Sequence, residues 1–173
     1  MLQKTIDLKD SIFYFFSVKN HQTHKLYYRV NAMKKYKILL YVSSLLIFIH
    51  LVGHYIGHRS WKMPTDSNMQ SAVNAMIENK TNYMGAHRSL ADFYHGYSLI
   101  LFVVYILSIW VLLILADSRS RDIRLAKRIL LPFGIAYTLF GVIEFFQFFP
   151  FAAIVSTLAG FSILTAVFIM EKS

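Results

Sequence analysis

One acidic residue, Glu144, stands in an apolar stretch from residue 129 to residue 149 that is long enough to cross a bilayer. A charged side chain at the centre of a membrane helix costs about 2.5–3.5 kcal/mol even on translocon scales, so such a residue normally faces the protein interior and has a partner. The chain offers histidines near the ends of its first two apolar stretches: His50, His54, His58, His87 and His95. Where Glu144 meets these side chains, we expect proton exchange or metal binding.

The first three of these histidines repeat at a helical spacing. His50, His54 and His58 are four residues apart, which keeps them close to one face of a helix. Two histidines on one helix face can bind one ion, and imidazole with carboxylate suits Zn, Fe, Cu or Mn. We therefore predict a His/Glu cluster in the outer half of the membrane that binds a metal ion or a polar ligand and suits redox or proton-coupled chemistry. Its candidate metal ligands are His50, His54, His95 and Glu144.

The helical rise places Glu144 and the histidines at similar heights in the membrane. At about 1.5 Å per residue from the predicted cytoplasmic ends, His50 lies roughly 18 Å up, His54 roughly 24 Å up and Glu144 roughly 22 Å up. His95 lies roughly 32 Å up, at the outer interface. Four further residues are predicted to support the cluster from the outer side, as caps, gates or orienting groups: His58, His87, Arg88 and Asp92.

Other cofactor chemistries rank lower. A b-type haem between histidines of facing helices ranks below a metal ion and below a plain proton-carrying His–Glu pair, and its candidate lining residues are Tyr94, Phe145 and Phe146. The H-x-x-x-H spacing lacks the glutamate of the zinc-protease H-E-x-x-H motif, so that reading is not supported. The chain has no cysteine, which excludes disulfides, iron–sulfur clusters and thiolate metal sites.

Composition and hydropathy define the elements that must position these residues. Of the 173 residues, 56% are hydrophobic and 16% are charged, whereas a soluble domain carries about 25% charged residues. The apolar residues gather in four blocks, each close to the ~20 residues that cross a ~30 Å hydrocarbon core. The fold class predicted is an all-α four-helix transmembrane bundle with a helical outer loop, and its spans cover about residues 38–56, 97–116, 129–149 and 151–170.

Basic residues predict the orientation. Lys and Arg are frequent in residues 19–37 and 119–128 and sparse over the longer 58–96 segment, which the positive-inside rule places outside. We expect a multi-pass protein of the bacterial inner membrane with both termini cytoplasmic. The net charge of +9 is explained by these flanking residues, so nucleic acid is not an expected partner.

The chain ends and connections carry weaker signals. Residues 1–32 are predicted to form a cytoplasmic or interfacial extension before a membrane domain at 33–173, with a translation start at Met33 as the equal alternative. Pro150 separates the last two spans almost without a loop, which predicts a tight helical hairpin whose first helix ends a few residues early.

The outer segment has its own local signals. Apolar spacing predicts a helix from Asp66 to Asn79, capped by Asp66 or Ser67. Ser89 and Asp92 have the S-x-x-D spacing of a capping motif.

Small residues indicate where helices approach each other closely. Gly53 and Gly57 form a G-x-x-x-G pair beside the histidine stripe of the first span. Ala152, Ser156 and Gly160 form a small-x-x-x-small series that we predict to be the packing face of the last span.

Two stretches carry a family resemblance. HLVGHYIGH at residues 50–58 and MGAHRSLADFYHGYSL at residues 84–99, with RSLADFYHG at 88–96 as the distinctive part, precede a basic loop and a terminal helical hairpin. Over residues 33–170 this arrangement resembles small bacterial four-helix membrane proteins of no assigned activity, and is loosely similar to the DoxX-type families. The resemblance implies an inner-membrane location and leaves the chemistry open.

Two further functions stay open beside ligand binding. A non-catalytic membrane scaffold or accessory subunit would use the polar cluster to hold helices together, and whether the protein is an enzyme is undecided. Transport ranks third, because four helices without inverted repeats suggest no internal pathway in a single copy. The expected partners are the lipid bilayer and, as alternatives, a second copy of the chain or another membrane protein.

Overall fold

A computed structural model describes residues 8–117 and 123–171. Within these ranges the backbone forms five helices and one hairpin: α1 (Leu8–Ser60), α2 (Ser67–Glu78), β1 (Lys80–Tyr83), β2 (Ala86–Ser89), α3 (Leu90–Asp117), α4 (Ile123–Gln147) and α5 (Pro150–Glu171). Four described helical segments are long and apolar enough to cross a membrane: Met33–Ser60, Leu90–Asp117, Ile123–Gln147 and Pro150–Met170. The prediction of an all-α bundle with four membrane-spanning helices is therefore confirmed.

The helices are longer than the apolar blocks that predicted them. α1 is one helix of 53 residues and passes residues 32 and 33 without a break. α3 begins at Leu90, seven residues before the predicted start at residue 97. Hydropathy marks the part of a helix that suits lipid, whereas the backbone hydrogen bonds continue into polar sequence where no proline or capping signal ends them.

The membrane helices pack as a bundle with one open side. α1 packs against both α3 and α5, and α5 packs against α4, while α3 and α4 make few direct contacts. The core consists of fully buried side chains from all four helices: Leu40, Ile47, Leu112, Leu130 and Ile163. Large apolar side chains such as Val103 and Trp110 remain exposed on the outward faces, as expected where lipid is the solvent.

Small residues set the distance between α4 and α5. Gly160 of α5 lies so close to α4 that an added Cβ would stand 2.6 Å from the Thr138 nitrogen and 2.9 Å from the Gly134 oxygen. Ala152 and Ser156 are also buried, so the predicted small-residue series is a packing face. The hairpin turns where predicted, because α4 ends at Gln147 and α5 begins at Pro150, whose missing N–H is harmless in the first turn of a helix.

The glycine pair of α1 behaves differently at its two positions. Gly53 packs against α5, since a Cβ there would lie 2.8 Å from the Phe151 ring. Gly57 has open space around its Cα, with nothing within 4 Å of an added Cβ. Only the first of the two glycines therefore supports a close helix contact among the described residues.

The segment between α1 and α3 contains a hairpin that the sequence patterns did not predict. β1 and β2 pair antiparallel through a two-residue turn at Met84 and Gly85, which have φ of 49° and 87°. Positive φ at both positions is the geometry of the short turns that suit hairpin twist. The predicted helix is present as α2, and its N-cap is Asp66, which accepts a hydrogen bond from the Asn68 nitrogen at 2.7 Å.

Reporter fusions test the orientation that the basic residues predict. A phosphatase fused after residue 75 should be active, because the segment between α1 and α3 is expected outside, and a fusion after residue 120 should be inactive. Green fluorescent protein at the same two positions is the matched control and should show the opposite pattern. An active phosphatase after residue 120 would contradict the orientation.

Candidate functional site

His50 is the centre of a buried polar group that joins all four membrane helices. Its Nε2 lies 3.2 Å from the Tyr105 hydroxyl of α3 and 3.5 Å from Glu144 Oε1 of α4. Its Nδ1 lies 3.0 Å from Ser156 Oγ of α5. The His50 side chain is 7% exposed and the Glu144 side chain 12% exposed. We call His50, Tyr105, Glu144 and Ser156 the inner group.

A second polar group lies one to two helical turns further along α1. His54 Nε2 donates to the Ser98 carbonyl oxygen at 3.1 Å and lies 2.9 Å from Ser98 Oγ. The same hydroxyl lies 2.7 Å from His58 Nδ1, and the His58 ring packs against the His95 ring with 4.8 Å between centroids. We call His54, Ser98, His58 and His95 the outer group. Ser98, which is buried, therefore links two turns of α1 to α3.

Both groups border one cavity of about 390 Å³ between the membrane helices. Pockets of about 300–1,000 Å³ are the usual size for small-molecule sites. The polar wall of the cavity consists of His50, His54, His58, Ser98, Tyr105 and Glu144. The remaining wall is mainly aromatic and includes Tyr94, Tyr97, Phe140, Phe148, Phe149 and Phe151. The cavity lining thus combines polar side chains from three helices with a larger number of aromatic and apolar side chains.

The Glu144 carboxylate is incompletely satisfied. Oε1 faces His50, whereas Oε2 is buried and has no hydrogen-bond partner among the described residues. The Ser156 hydroxyl also contributes to the environment of this carboxyl. Buried polar atoms without a partner are rare, and each is a candidate for a bound water, ion or ligand. Because Glu144 lines the cavity, a molecule bound there can reach it.

The four predicted metal ligands fall into two groups. His50 and Glu144 belong to the inner group, and His54 and His95 belong to the outer group, where their contacts are with Ser98 and His58. In residues 8–117 and 123–171, no three His, Asp or Glu side chains converge in an arrangement that could hold a metal ion. The metal ion and the haem both stay predictions.

The supporting residues take structural positions, with one exception. His58 lines the cavity, but His87 contacts Asn82 within the hairpin, 3.1 Å from its amide oxygen. Arg88 pairs with Thr81 in the same hairpin. None of the three predicted gates, His87, Arg88 and Asp92, is among the residues that line the cavity.

Asp92 caps the start of α3. It accepts a hydrogen bond from the Ser89 nitrogen at 2.9 Å, and Ser89 Oγ accepts one from the Asp92 nitrogen at 3.1 Å. These reciprocal bonds satisfy two donors at the helix N-terminus and confirm the predicted capping motif.

The three candidate haem-lining residues do not lie in one cavity. Tyr94 lines the cavity and packs against Trp61, with 4.7 Å between ring centroids. Phe145 and Phe146 line a different, apolar groove on the α4–α5 surface.

Three site residues escaped the sequence analysis in this role. Ser98 and Tyr105 were part of an apolar block, and Ser156 was predicted only as a small packing residue. Ser98 and Tyr105 are seven residues apart, which places them on one face of α3, and both are buried. Two hydroxyl side chains on one face of an otherwise apolar helix indicate that this face meets polar side chains of a neighbouring helix, here the histidines of α1.

The chain was also compared with known proteins. No family model, no curated protein and no solved structure matches it.

Proposed function

We propose that this membrane protein binds a small polar or amphipathic ligand in the cavity, where His50 and Glu144 hydrogen-bond the polar part of the ligand and exchange a proton with it. The observation that carries the proposal is the buried, unpartnered oxygen of Glu144 beside His50 in the wall of a cavity of ligand size. A neighbouring histidine and carboxylate are the side chains that most often act as general acid and base.

Existing hydrogen bonds favour a polar ligand over a metal ion. Both ring nitrogens of His50 have partners, and Nε2 of His54 donates to a carbonyl oxygen. A metal ligand needs a free lone pair on nitrogen, so a metal would have to break several of these contacts. An organic ligand in the cavity needs only a rotation of the Glu144 carboxyl group to bond its free oxygen, and the bonds of His50 and His54 can stay in place.

The outer group supplies a route for protons between the cavity and the loop end of the bundle. Its hydrogen-bonded contacts run from His58 through the Ser98 hydroxyl to His54, and His95 extends the group to an exposed position. The His54 ring lies 5.9 Å from the Tyr105 ring of the inner group, centroid to centroid. The two groups are therefore in direct ring contact, and both border the cavity, where a bound water can link their polar atoms.

A scaffold function uses the same contacts differently. The bonds of His50 and Ser98 also hold α1 to α3 and α5, so they could serve helix association alone. Interhelical hydrogen bonds in membranes are worth about 0.6 kcal/mol on average, with a maximum of about 1.7 kcal/mol. Under that function the cavity would hold lipid or water without preference.

Native mass spectrometry of the protein in lipid nanodiscs separates the two functions, with elemental analysis for metals on the same sample. We expect a bound small molecule on the wild type and on Glu78→Gln, which removes an exposed carboxylate of α2, and its loss from Glu144→Gln. Equal complements of bound molecules on the wild type and Glu144→Gln would contradict the proposal. If the wild type contains a stoichiometric metal and the Glu144→Gln variant does not, the ligand of the site is a metal ion and not an organic molecule.

A further inference from the structure

We infer that the ligand of this cavity is a lipid-soluble amine, whose ammonium group binds Glu144 and whose apolar body lies against the aromatic wall. The inference rests on the proposed function and names the chemical class of its ligand. It is carried by three features of the cavity: the free carboxylate oxygen, the charges of the lining residues and the aromatic side chains.

The free carboxylate oxygen requires a donor. In the ionised form that a neighbouring ammonium group favours, a carboxylate only accepts hydrogen bonds, and Oε2 of Glu144 is buried without a partner among the described residues. Beside the ionised carboxylate, a ligand that offers only acceptors, such as a ketone or an ether, would leave this oxygen unsatisfied. An ammonium group offers up to three N–H donors, and its bond to a carboxylate is charge-assisted and therefore stronger than a neutral one.

The charges around Glu144 favour a cation over an anion. The groups that face its carboxyl are His50 from α1, Tyr105 from α3, Ser156 from α5 and Tyr137 from α4 itself. Among the described residues that line the cavity there is no lysine or arginine. A phosphate or carboxylate head group would thus meet an acidic side chain with no fixed positive charge to neutralise it, and like charges at short range repel.

The aromatic wall suits both parts of such a ligand. The π faces of tyrosine and phenylalanine attract a cation within about 6 Å of the ring centroid. Tyr97, Phe148 and Phe149 combine this wall position with high exposure, at 67%, 66% and 55%. Tyr97 lies two turns into α3, and Phe148 and Phe149 connect α4 to α5. A lipid-soluble molecule can reach these exposed wall residues from the bilayer.

A matched set of probes tests the inference. 4-Phenylbutylamine, 4-phenylbutanol and 4-phenylbutanoate share one body and differ in carrying a cationic, neutral or anionic head. Their binding to the protein in nanodiscs is measured at neutral pH by calorimetry and by fluorescence of Trp61, which packs against the cavity residue Tyr94, in a Trp110→Phe background. We expect the amine to bind at least about tenfold more tightly than the other two, and Glu144→Gln to remove that preference.

The results distinguish a wrong class of ligand from the absence of a ligand site. Retention of the preference by Glu78→Gln, with its loss in Glu144→Gln and in empty nanodiscs, supports the amine. Tighter or equal binding of the alcohol or the acid overturns the amine but keeps the cavity as a ligand site. Absence of heat and of a Trp61 response for all three probes overturns the amine, and with a ligand-free mass spectrum it also overturns the proposed function.

Discussion

Glu144→Gln is expected to weaken ligand binding strongly while the thermal unfolding of the protein changes little. The amide keeps the shape of the side chain and removes the charge that the membrane disfavours, so folding should be preserved. The bond to the ligand loses its charge assistance, and hydrogen bonds to charged groups contribute about 1.5–3 kcal/mol, or roughly 10- to 150-fold in affinity. Binding by calorimetry and unfolding by circular dichroism of the same detergent-purified sample measure both effects.

Glu144→Leu separates a ligand role from a packing role. If the carboxylate exists for a ligand, the leucine variant should be at least as stable as the wild type and fail to bind, because a partly unsatisfied buried group has been replaced by an apolar one. If the carboxylate exists to hold α4 to His50, the same variant should unfold at a lower temperature. A destabilised leucine variant together with unchanged ligand binding in Glu144→Gln would refute the ligand role.

Of the substitutions proposed for this protein, Gly160→Ala is expected to lower the free energy of unfolding the most. Its Cβ would stand 2.6 Å from the Thr138 nitrogen and 2.9 Å from the Gly134 oxygen, and backbone atoms cannot move aside as the end of a flexible side chain can. Overpacking costs about 1–3 kcal/mol and occasionally more, and two backbone contacts place this change at the upper end. Reversible unfolding in mixed detergent micelles gives the change in the free energy of unfolding.

Gly57→Ala is the matched control for this prediction. It makes the same chemical change within a membrane helix, but nothing lies within 4 Å of the added Cβ. Alanine is the better helix former by about 1 kcal/mol, so this variant should be as stable as the wild type or slightly more stable. Equal effects of the two substitutions would mean that α4 and α5 do not approach through Gly160.

Helical rise and spacing were enough to predict that Glu144 meets the histidine stripe, because they fix height along a helix and the facing of residues four apart. They could not decide which histidine it meets. That choice depends on the rotation of α1 about its axis, which is set by packing against α3 and α5. In the structure the contact is made by His50, while His54 turns toward Ser98.

Sequence could not assign a partner to each histidine. A histidine bonded to Ser98 and a histidine free to bind a metal look identical in sequence, because the hydroxyl comes from another helix. The hairpin at residues 80–89 was missed for a different reason. Its strands have four residues each and are almost wholly exposed, so they show no apolar alternation, and Gly85 is the one turn signal.

Nitrogen NMR of the histidine side chains tests most directly whether His50 and Glu144 meet within the membrane. The wild type and Glu144→Gln are labelled with ¹⁵N-histidine in nanodiscs, and the signals are assigned by single histidine substitutions. We predict that the ring-nitrogen signals of His50 and their response to pH change in the variant, because its Nε2 lies 3.5 Å from Glu144 Oε1. The signals of the exposed His95, which packs against His58, should stay the same. Unchanged His50 signals in a folded Glu144→Gln protein would contradict the inner group, and with it the site.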